Sequence, residues 1–463
     1  MKNKKAVIGD EGIYDARALG GGRMFVLGLQ HMFAMFGATV LVPVLTGLSV
    51  STTLLFAGLG TLLFHLITKG KVPAFLGSSF AFLGGYAAIA PKLADANGNF
   101  TVSNSELLPY ACFGVACAGL LYLVLALLFK IFGAKKVMRF FPPIVTGPII
   151  IAIGLNLSQS AIANCSANWL VAVIAILVVI GFNIWGKGML KIIPILLGVV
   201  ASYVISMIVD APTRQNLVTM ISEAKWIGFP IVWGQTAFSI FGKNFNGGTL
   251  VTSIITIMPI ALATMVEHIG DVCAISSTVG KNFVADPGLH RTLTGDGLAT
   301  ALAALFGAPA NTTYGENTGV LALSKVYDPR VIRLAAIFAA ILSFCPKFAA
   351  IISAMPAATI GGVSLVLYGM ISAVGVRNVV ENKVDFTRSR NVIIAALILV
   401  LAIGIKYNGS GAIDIPIGSI TISLSGIAVA AIVGIVLNAV LPGNDYEFGT
   451  DLQGDTSVSF HAR

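Results

Sequence analysis

Long apolar runs without a single charge recur along the 463-residue chain. Residues 24–68, 111–129 and 140–186 contain no Asp, Glu, Lys or Arg. A helix needs about 20 apolar residues to cross a bilayer, so the two longer runs each hold two spans. The runs are continuous and do not alternate in polarity, which excludes a transmembrane β-barrel.

The composition excludes a water-soluble globule. Hydrophobic residues make up 56% of the chain and charged residues 11%, with a mean hydropathy of +0.90. A soluble domain carries roughly 25% charged residues. The formal net charge of +9 does not indicate a nucleic-acid partner, because the basic residues lie in short gaps between apolar runs. The scattered cysteines argue against a disulfide framework and a zinc site: Cys112, Cys117, Cys165, Cys273 and Cys345.

We predict an all-α polytopic membrane protein with about fourteen transmembrane segments. The lipid bilayer is therefore its first partner. The predicted spans lie near residues 24–46, 52–68, 73–91, 108–130, 140–157, 168–185, 190–209, 248–272, 292–307, 311–326, 331–349, 355–376, 390–405 and 418–441.

The basic residues support this count. With the N-terminus inside, most Lys and Arg fall in or beside inside segments, as the positive-inside rule expects. If the number of spans were wrong by one, the excess of Lys and Arg in the inside segments would disappear. Only six of the 29 Lys and Arg fall outside: Lys92, Arg214, Lys225, Lys243, Lys347 and Lys406.

The longest gap between spans divides the chain into two halves of seven. Because seven is odd, the second half enters from the opposite side, which predicts two inverted repeats. The predicted organisation is a cytoplasmic tail 1–23, a first repeat 24–209, an extracytoplasmic connection 210–247, a second repeat 248–441 and a cytoplasmic tail 442–463.

The third and tenth spans do not read as plain helices. Both begin with proline, at Pro73 and Pro309, and continue with small polar residues, an aromatic residue and glycines. An extended piece followed by a short helix fits each of them better. Such paired interruptions indicate a substrate site, since broken backbone is tolerated at membrane depth only inside protein or beside a cavity. The alternative is that Gly and Ser merely permit close helix packing.

Three acids map deep within the predicted spans: Glu267, Asp271 and Glu316. An acid at that depth costs about 2.5–3.5 kcal/mol on an insertion scale, so each is a functional candidate. Glu267 and Asp271 are four residues apart and share a helix face, which suits a proton carrier. The alternative is a structural carboxyl bonded to Ser, Asn or His. Asp296 is expected in the first turn of the ninth span, near the inner face, where it would cap that helix.

Other candidates are weaker. His31 is a lone intramembrane histidine, more often a helix-to-helix hydrogen bond than a ligand. His268 adjoins Glu267 but points about 100° away on a helix, so we interpret it as structural. Phe80 can stack on a flat ligand, although such residues usually pack. The chain has neither a GxxxxGK[ST] loop nor a metal-ligand cluster, so we expect no cofactor.

Several strings resemble the nucleobase–ascorbate transporter (nucleobase:cation symporter-2) family, and within it the uracil permeases. They run from the first span to about the twelfth, and the string at 311–317 is quite specific. The strings are Gln30-His-Met-Phe-Ala-Met-Phe-Gly-Ala-Thr-Val-Leu-Val-Pro43, Gly77-Ser-Ser-Phe-Ala-Phe82, Glu267-His-Ile-Gly-Asp271, Asp286-Pro-Gly-Leu-His-Arg291, Asn311-Thr-Thr-Tyr-Gly-Glu-Asn317 and Gly361-Gly-Val-Ser-Leu-Val-Leu-Tyr368.

The resemblance implies fourteen spans in two inverted repeats, divided into core and gate domains, with short strands in segments 3 and 10. It implies import of uracil with a proton across the cell membrane by alternating access, in a homodimer.

The resemblance also implies roles for individual residues. Glu267 and Glu316 would accept from the uracil ring N–H groups, and the backbone amides of Phe80 and Gly315 would donate to its carbonyls. The Phe80 ring would pack against the ligand. Further residues implied at the site are Tyr314 beside Phe80, His31 in support and Tyr368 on the gate side.

One position departs from the uracil pattern. Asp271 occupies a place where a uracil-type member has a histidine linked to proton coupling, whereas purine-type members have an acid. We expect Asp271 and Glu267 to share the transported proton, with Glu316 beside them. The alternatives are a xanthine or urate:proton symporter of the same fold, an ion channel, or a membrane enzyme using paired carboxylates. Saturable uptake of a chemically unchanged substrate would exclude the last two.

Overall fold

A computed structural model describes residues 12–94, 100–187, 189–241, 245–408, 411–417 and 420–443. Residues 1–11 of the predicted tail 1–23 and residues 444–463 of the predicted tail 442–463 lie outside these residues. The described chain is mostly helical, and its strands are short.

The helices are α1 Gly21–Thr46, α2 Val50–Ile67, α3 Leu83–Ile89, α4 Leu108–Phe132, α5 Ala134–Met138, α6 Pro143–Cys165, α7 Trp169–Trp185, α8 Met189–Ile192, α9 Pro194–Val209, α10 Ala211–Glu223, α11 Gly247–Ile257, α12 Ile260–Val279, α13 Leu289–Leu305, α14 Gly315–Ser324, α15 Pro329–Leu342, α16 Pro346–Ser353, α17 Ala357–Glu381, α18 Ser389–Lys406 and α19 Gly426–Val440. The strands are β1 Leu76–Ser78, β2 Leu93–Ala94, β3 Phe100–Val102, β4 Asn311–Thr313, β5 Ala412–Ile417 and β6 Ile420–Ser425.

Length and composition qualify part of these helices as membrane spans. Within the described residues, 7 helices are long and apolar enough to cross a bilayer, or up to 9 if two sharply bent pairs each count as one span. The bent pairs are α9 with α10 and α15 with α16. The predicted number of fourteen spans stays a prediction.

The last predicted span, 418–441, is wrong in its first part. Residues Ile420–Ser425 form a strand that pairs antiparallel with Ala412–Ile417. The physical reason is local, because apolar Ile, Ile and Leu alternate with Thr, Ser and Ser through 420–425, which is the period of a strand. The helix begins only at Gly426, where the Ser425 side chain accepts a hydrogen bond from the Ala428 amide as an N-cap.

The helices pack as two groups. In the first group, α4 and α2 pack on α13, while α1, α2 and α15 pack on one another and α14 contacts α1 and α12. In the second, α6 lies along α17, with α7, α9, α18 and α19 around this pair. Each group draws helices from both halves of the chain, and the predicted inverted repeats stay a prediction.

An N-terminal segment, Gly12–Leu19, ties two helices of the first group together. The Ile13 amide donates to the Lys325 carbonyl at the end of α14 (2.8 Å), and the Tyr14 hydroxyl donates to the Val279 carbonyl at the end of α12 (2.7 Å). A hydrogen bond from Arg17 lowers the pKa of the Asp15 carboxyl to about 2, so the surface ion pairs of the segment stay charged at neutral pH.

The Asp328 carboxylate anchors this segment to α15. It is 3% exposed and accepts from the Ala16 amide (2.8 Å) and, as the N-cap of α15, from the Arg330 amide (2.9 Å). Asp328→Ala should destabilise the protein by about 1–3 kcal/mol, because it removes a buried acceptor from two backbone donors. Its apparent melting temperature in detergent measures this.

The control is Asp385→Ala, since the Asp385 carboxylate is exposed and bonds within its own turn, to Thr387 and Arg388. Equal melting temperatures for the two variants would contradict the anchoring role of Asp328.

Candidate functional site

The two interrupted segments meet in a small antiparallel sheet. Strand β1 pairs with β4 in the register Leu76 to Thr313, Gly77 to Thr312 and Ser78 to Asn311. Two further backbone bonds extend the pair, from the Ser79 amide to Ala310 and from the Tyr314 amide to Phe75. Each strand leads into a short helix, α3 or α14. This confirms the predicted extended piece followed by a helix in both segments.

Side chains of neighbouring helices satisfy the outer edges of this sheet. The Thr61 hydroxyl of α2 accepts from the Leu76 amide (2.9 Å) and donates to its carbonyl (3.2 Å). On the other edge, Thr300 of α13 donates to the Asn311 carbonyl (2.8 Å). A two-stranded sheet at membrane depth has no water for these groups, so the side chains replace it.

Tyr314 holds the end of β1. Its hydroxyl donates to the Ser78 carbonyl (2.9 Å) and accepts from Thr39 (3.3 Å), and its ring lies against Gly77. A Cβ at Gly77 would come within 2.5 Å of that ring, so the contact requires glycine. The Tyr314 side chain therefore supports the strands, and the structure places it behind Ser78.

The acids of α12 lie beside the sheet. Asp271 accepts from the Thr313 hydroxyl of β4 (2.8 Å). Glu267 lies one turn earlier and is half-buried, and no described group hydrogen-bonds its carboxylate. Both acids are close enough to Glu316 to interact electrostatically with it. The structure thus brings together the three acids singled out in the sequence.

The N-terminus of α14 faces open space. Glu316 is in the first turn of this helix, where the helix dipole favours a negative charge. Gly315 is exposed, and no atom outside its own helix and chain neighbours lies within 4 Å of the position that its Cβ would occupy. A small ligand can therefore approach the Gly315 backbone.

Phe80 and Tyr368 connect the two helix groups. Phe80 follows β1 and is 6% exposed, while Tyr368 is on α17 and fully buried. Their rings meet edge to face, with centroids 5.6 Å apart. If the two helix groups move relative to each other, this contact between Phe80 and Tyr368 must break or slide.

His31 contacts the α14 end of the site indirectly. Its ring Nδ1 lies 3.2 Å from the Asn317 side-chain nitrogen, which also donates to the His31 carbonyl (3.0 Å). Asn317 directly follows Glu316. His31 therefore joins α1 to α14, the helix-to-helix hydrogen bond that the sequence favoured.

Asp296 corrects an expectation. The helix begins at Leu289, so Asp296 lies two turns inside α13 and cannot cap it. It is fully buried, and its Oδ2 lies 2.9 Å from His268 Nδ1, also fully buried. The positive φ of Gly288 (92°) permits the earlier start. The Asp296–His268 pair joins α13 to α12 next to Glu267. The sequence feature that could have indicated this pair is an acid within an apolar segment.

A separate cavity of about 1030 Å³ lies elsewhere, at the predicted inner face. It is lined by the N-terminal segment and by the connections after α2, α12 and α14. Its charges are largely paired within the cavity wall, as Lys71 is with Asp286 and Arg330 with Asp15. Glu267, Asp271 and Glu316 do not line it.

Residues 22–409 match the model of a permease family. Curated relatives extend the match. The uracil permease of Bacillus caldolyticus is 40% identical, over 91% of this chain and 93% of that protein, and the uracil permease of Bacillus subtilis (strain 168) is 39% identical, over 94% of both. The chain belongs to this permease family. It is a multi-pass membrane transport protein and not an enzyme.

Further matches have lower identity. The uracil permease of Escherichia coli (strain K12) is 38% identical, over 89% of this permease and 90% of that protein. Among solved structures, SLC26A9 matches with a TM-score of 0.65 at 14% identity, over 92% of this permease and 66% of that chain. The transmembrane domain of the cyanobacterial bicarbonate transporter BicA matches with a TM-score of 0.53 at 15% identity, over 92% and 99%. These two likenesses establish the fold alone.

The arrangement can bind a small polar ligand and hold a proton. It offers carboxylates with at most one side-chain partner among the described residues, an accessible helix N-terminus and an aromatic ring. The described residues contain no group of His, Cys, Asp and Glu side chains that could hold a metal ion.

The contact of Gly77 with Tyr314 gives a direct test of the sheet. Gly77→Ala should destabilise the permease by about 1–3 kcal/mol and reduce transport, because the added methyl group pushes the Tyr314 ring away from Ser78. Gly404→Ala is the matched control, since Gly404 is in α18 and an added methyl group there would meet no neighbouring atom within 4 Å. Equal melting temperatures and uptake for both variants would remove this constraint.

Proposed function

We propose that this permease imports uracil together with a proton across the cell membrane. The observation that carries the proposal is the meeting of Glu267, Asp271 and Glu316 beside the paired strands β1 and β4. Relatives with up to 40% identity over most of the chain are named uracil permeases. Buried acids of this kind are costly in a membrane and mark a transport pathway.

The ring of uracil complements this site. Uracil is flat and carries two N–H donors and two carbonyl acceptors. Glu267 and Glu316 accept from the N–H groups, the backbone amides of Phe80 and Gly315 donate to the carbonyls, and the Phe80 ring packs against the heterocycle. A site built to hydrogen-bond every polar group of its ligand rejects analogues that lack those groups.

The surrounding residues hold this geometry. Tyr314 fixes β1 behind Phe80, and His31 with Asn317 fixes the start of α14. Tyr368 closes the site from the second helix group through its contact with Phe80. A site held by packed strands and helices is positioned more accurately than one on loops.

The proton is carried by the Glu267–Asp271 pair. The two carboxylates are one helix turn apart, and Glu316 lies within electrostatic reach. Three negative charges at this depth cannot coexist cheaply, so a proton binds among them together with the neutral substrate. Asp271 keeps its hydrogen bond to Thr313 while it exchanges the proton with Glu267.

Transport occurs by alternating access. The first helix group carries the acids and moves against the second group, so that the contact between Phe80 and Tyr368 opens on one side at a time. The protein is a homodimer, with both termini in the cytoplasm. The distribution of Lys and Arg along the chain supports this orientation.

A second candidate is a xanthine or urate:proton symporter of the same fold. Asp271 favours it, because the acid at this place is the purine-type pattern. Competition separates the two candidates. We expect proteoliposomes to take up labelled uracil and excess unlabelled xanthine to leave that uptake unchanged; uptake of labelled xanthine that excess uracil does not block would reverse the assignment.

The experiment for coupling is uptake of labelled uracil into proteoliposomes with and without an inward proton gradient. We expect the gradient to drive accumulation above equilibrium. Uptake that never exceeds equilibrium under the gradient would refute symport.

The two acceptors can be tested by equilibrium binding of uracil. Glu267→Gln and Glu316→Gln should each weaken binding about 10–100-fold, because a charged acceptor to a ring N–H is lost. Glu267→Gln should also abolish uptake. The matched control is Glu381→Gln, whose carboxylate pairs with Arg377 at the end of α17. Unchanged affinity in either site variant would remove that residue from the site.

Asp271→Asn separates coupling from binding. The amide can still accept from Thr313, so uracil affinity should fall less than threefold, while accumulation driven by the gradient should be lost. An unchanged dependence of uptake on the gradient would refute the role of Asp271.

A further inference from the structure

An apolar groove opens on the outer surface between the two helix groups. It has a volume of about 610 Å³, and its walls are α4 and α12 of the first group on one side, and α19 with the residues around α5 on the other. The side chains that line it are Leu121, Val124, Leu125, Leu128, Phe132, Lys136, Val137, Phe140, Phe141, Leu262, Met265, Ile432, Ile435 and Val436.

Several of these side chains are open to the surroundings of the protein. Val124, Phe132 and Val436 are each more than half exposed, although all are large and apolar. Val124 and Val436 are within helices α4 and α19, so their surroundings in a membrane are acyl chains. The groove is elongated along α4, from Leu121 to Phe132, which is the direction of a lipid tail.

One end of the groove is basic. Lys136 lines it, and Lys135 and Arg139 are exposed beside it. Among the described residues, no carboxylate lies within ion-pair distance of any of these three cations. The distribution of Lys and Arg predicts this end to be at the cytoplasmic leaflet, where anionic lipids attract basic residues.

We propose that this groove binds one anionic phospholipid of the inner leaflet. An acyl chain lies along α4 against Leu128 and Val436, and the phosphate contacts Lys136. Apolar walls with a basic end that lacks an ion-pair partner within the described part of the chain match both parts of such a lipid, whereas a zwitterionic lipid would gain less from the lysines.

The position of the lipid gives it an effect on transport. Because it contacts α4 of one helix group and α19 of the other, movement of the groups changes the width of its groove. A ligand that fits one state better shifts the population towards that state. An anionic lipid that fits the groove better in one state would therefore change the rate of transport without contacting the substrate.

The test measures lipid binding to the purified full-length protein by native mass spectrometry, with phosphatidylglycerol and phosphatidylcholine as probes. The double variant Lys135→Gln/Lys136→Gln should bind phosphatidylglycerol about tenfold more weakly than the wild type and lose the preference over phosphatidylcholine. The control Lys187→Gln/Lys191→Gln removes the same charge from another predicted inner segment and should leave binding unchanged. Equal loss in both double variants would overturn the proposal.

A second variant tests the groove itself. Val436→Trp fills the groove from the exposed side and should reduce phosphatidylglycerol binding at least tenfold, with an unaltered melting temperature in lipid-free detergent. Unchanged phosphatidylglycerol binding would overturn the proposal. If Val436→Trp changes the protein from dimer to monomer in lipid-free detergent, the occupant of the groove is a second copy of the chain, and the lipid proposal is overturned. Neither readout depends on uracil transport.

Discussion

Backbone hydrogen bonding without water is the constraint on which this structure depends. Two segments leave the helical conformation at membrane depth, and each exposes amides and carbonyls that hydrocarbon cannot satisfy. Pairing β1 with β4 satisfies the facing edges, and Thr61 and Thr300 satisfy the outer ones. The Tyr314 hydroxyl donates a hydrogen bond to the Ser78 carbonyl at the end of β1. The short helices α3 and α14 can begin inside the protein only because this sheet is complete.

The same geometry explains why the acids are tolerated. Asp271 is bonded to Thr313 of β4, and Asp296 is paired with His268, so these two carboxyls have protein partners. Glu267 has none among the described residues, and Glu316 is in the first turn of a helix beside open space. A half-buried carboxyl such as Glu267, with no hydrogen-bond partner among the described residues, suits a partner that comes and goes, which we propose to be a ring N–H group and a proton.

The sequence predicted the parts of the fold that depend on short-range signals. Proline followed by small polar residues and glycine indicated both interrupted segments, and the rarity of acids in apolar runs indicated Glu267, Asp271 and Glu316. Contacts between distant segments were not predictable in this way. The bond from Thr313 to Asp271 and the link of Asn317 to His31 depend on the relative rotation of helices. The sequence does not predict the depth of Asp296, because the start of α13 depends on the backbone at Gly288. It does not predict the hairpin before α19 either, because the apolar residues of that hairpin also fit a membrane helix.

The proposed function requires a flat heterocycle to bind between Phe80, Glu267 and Glu316. A structure determined with uracil tests it most directly. We expect density for the ring at the start of α14, with its N–H groups within hydrogen-bond distance of both carboxylates. Ring density at another place, or carboxylates that face lipid in that structure, would contradict it.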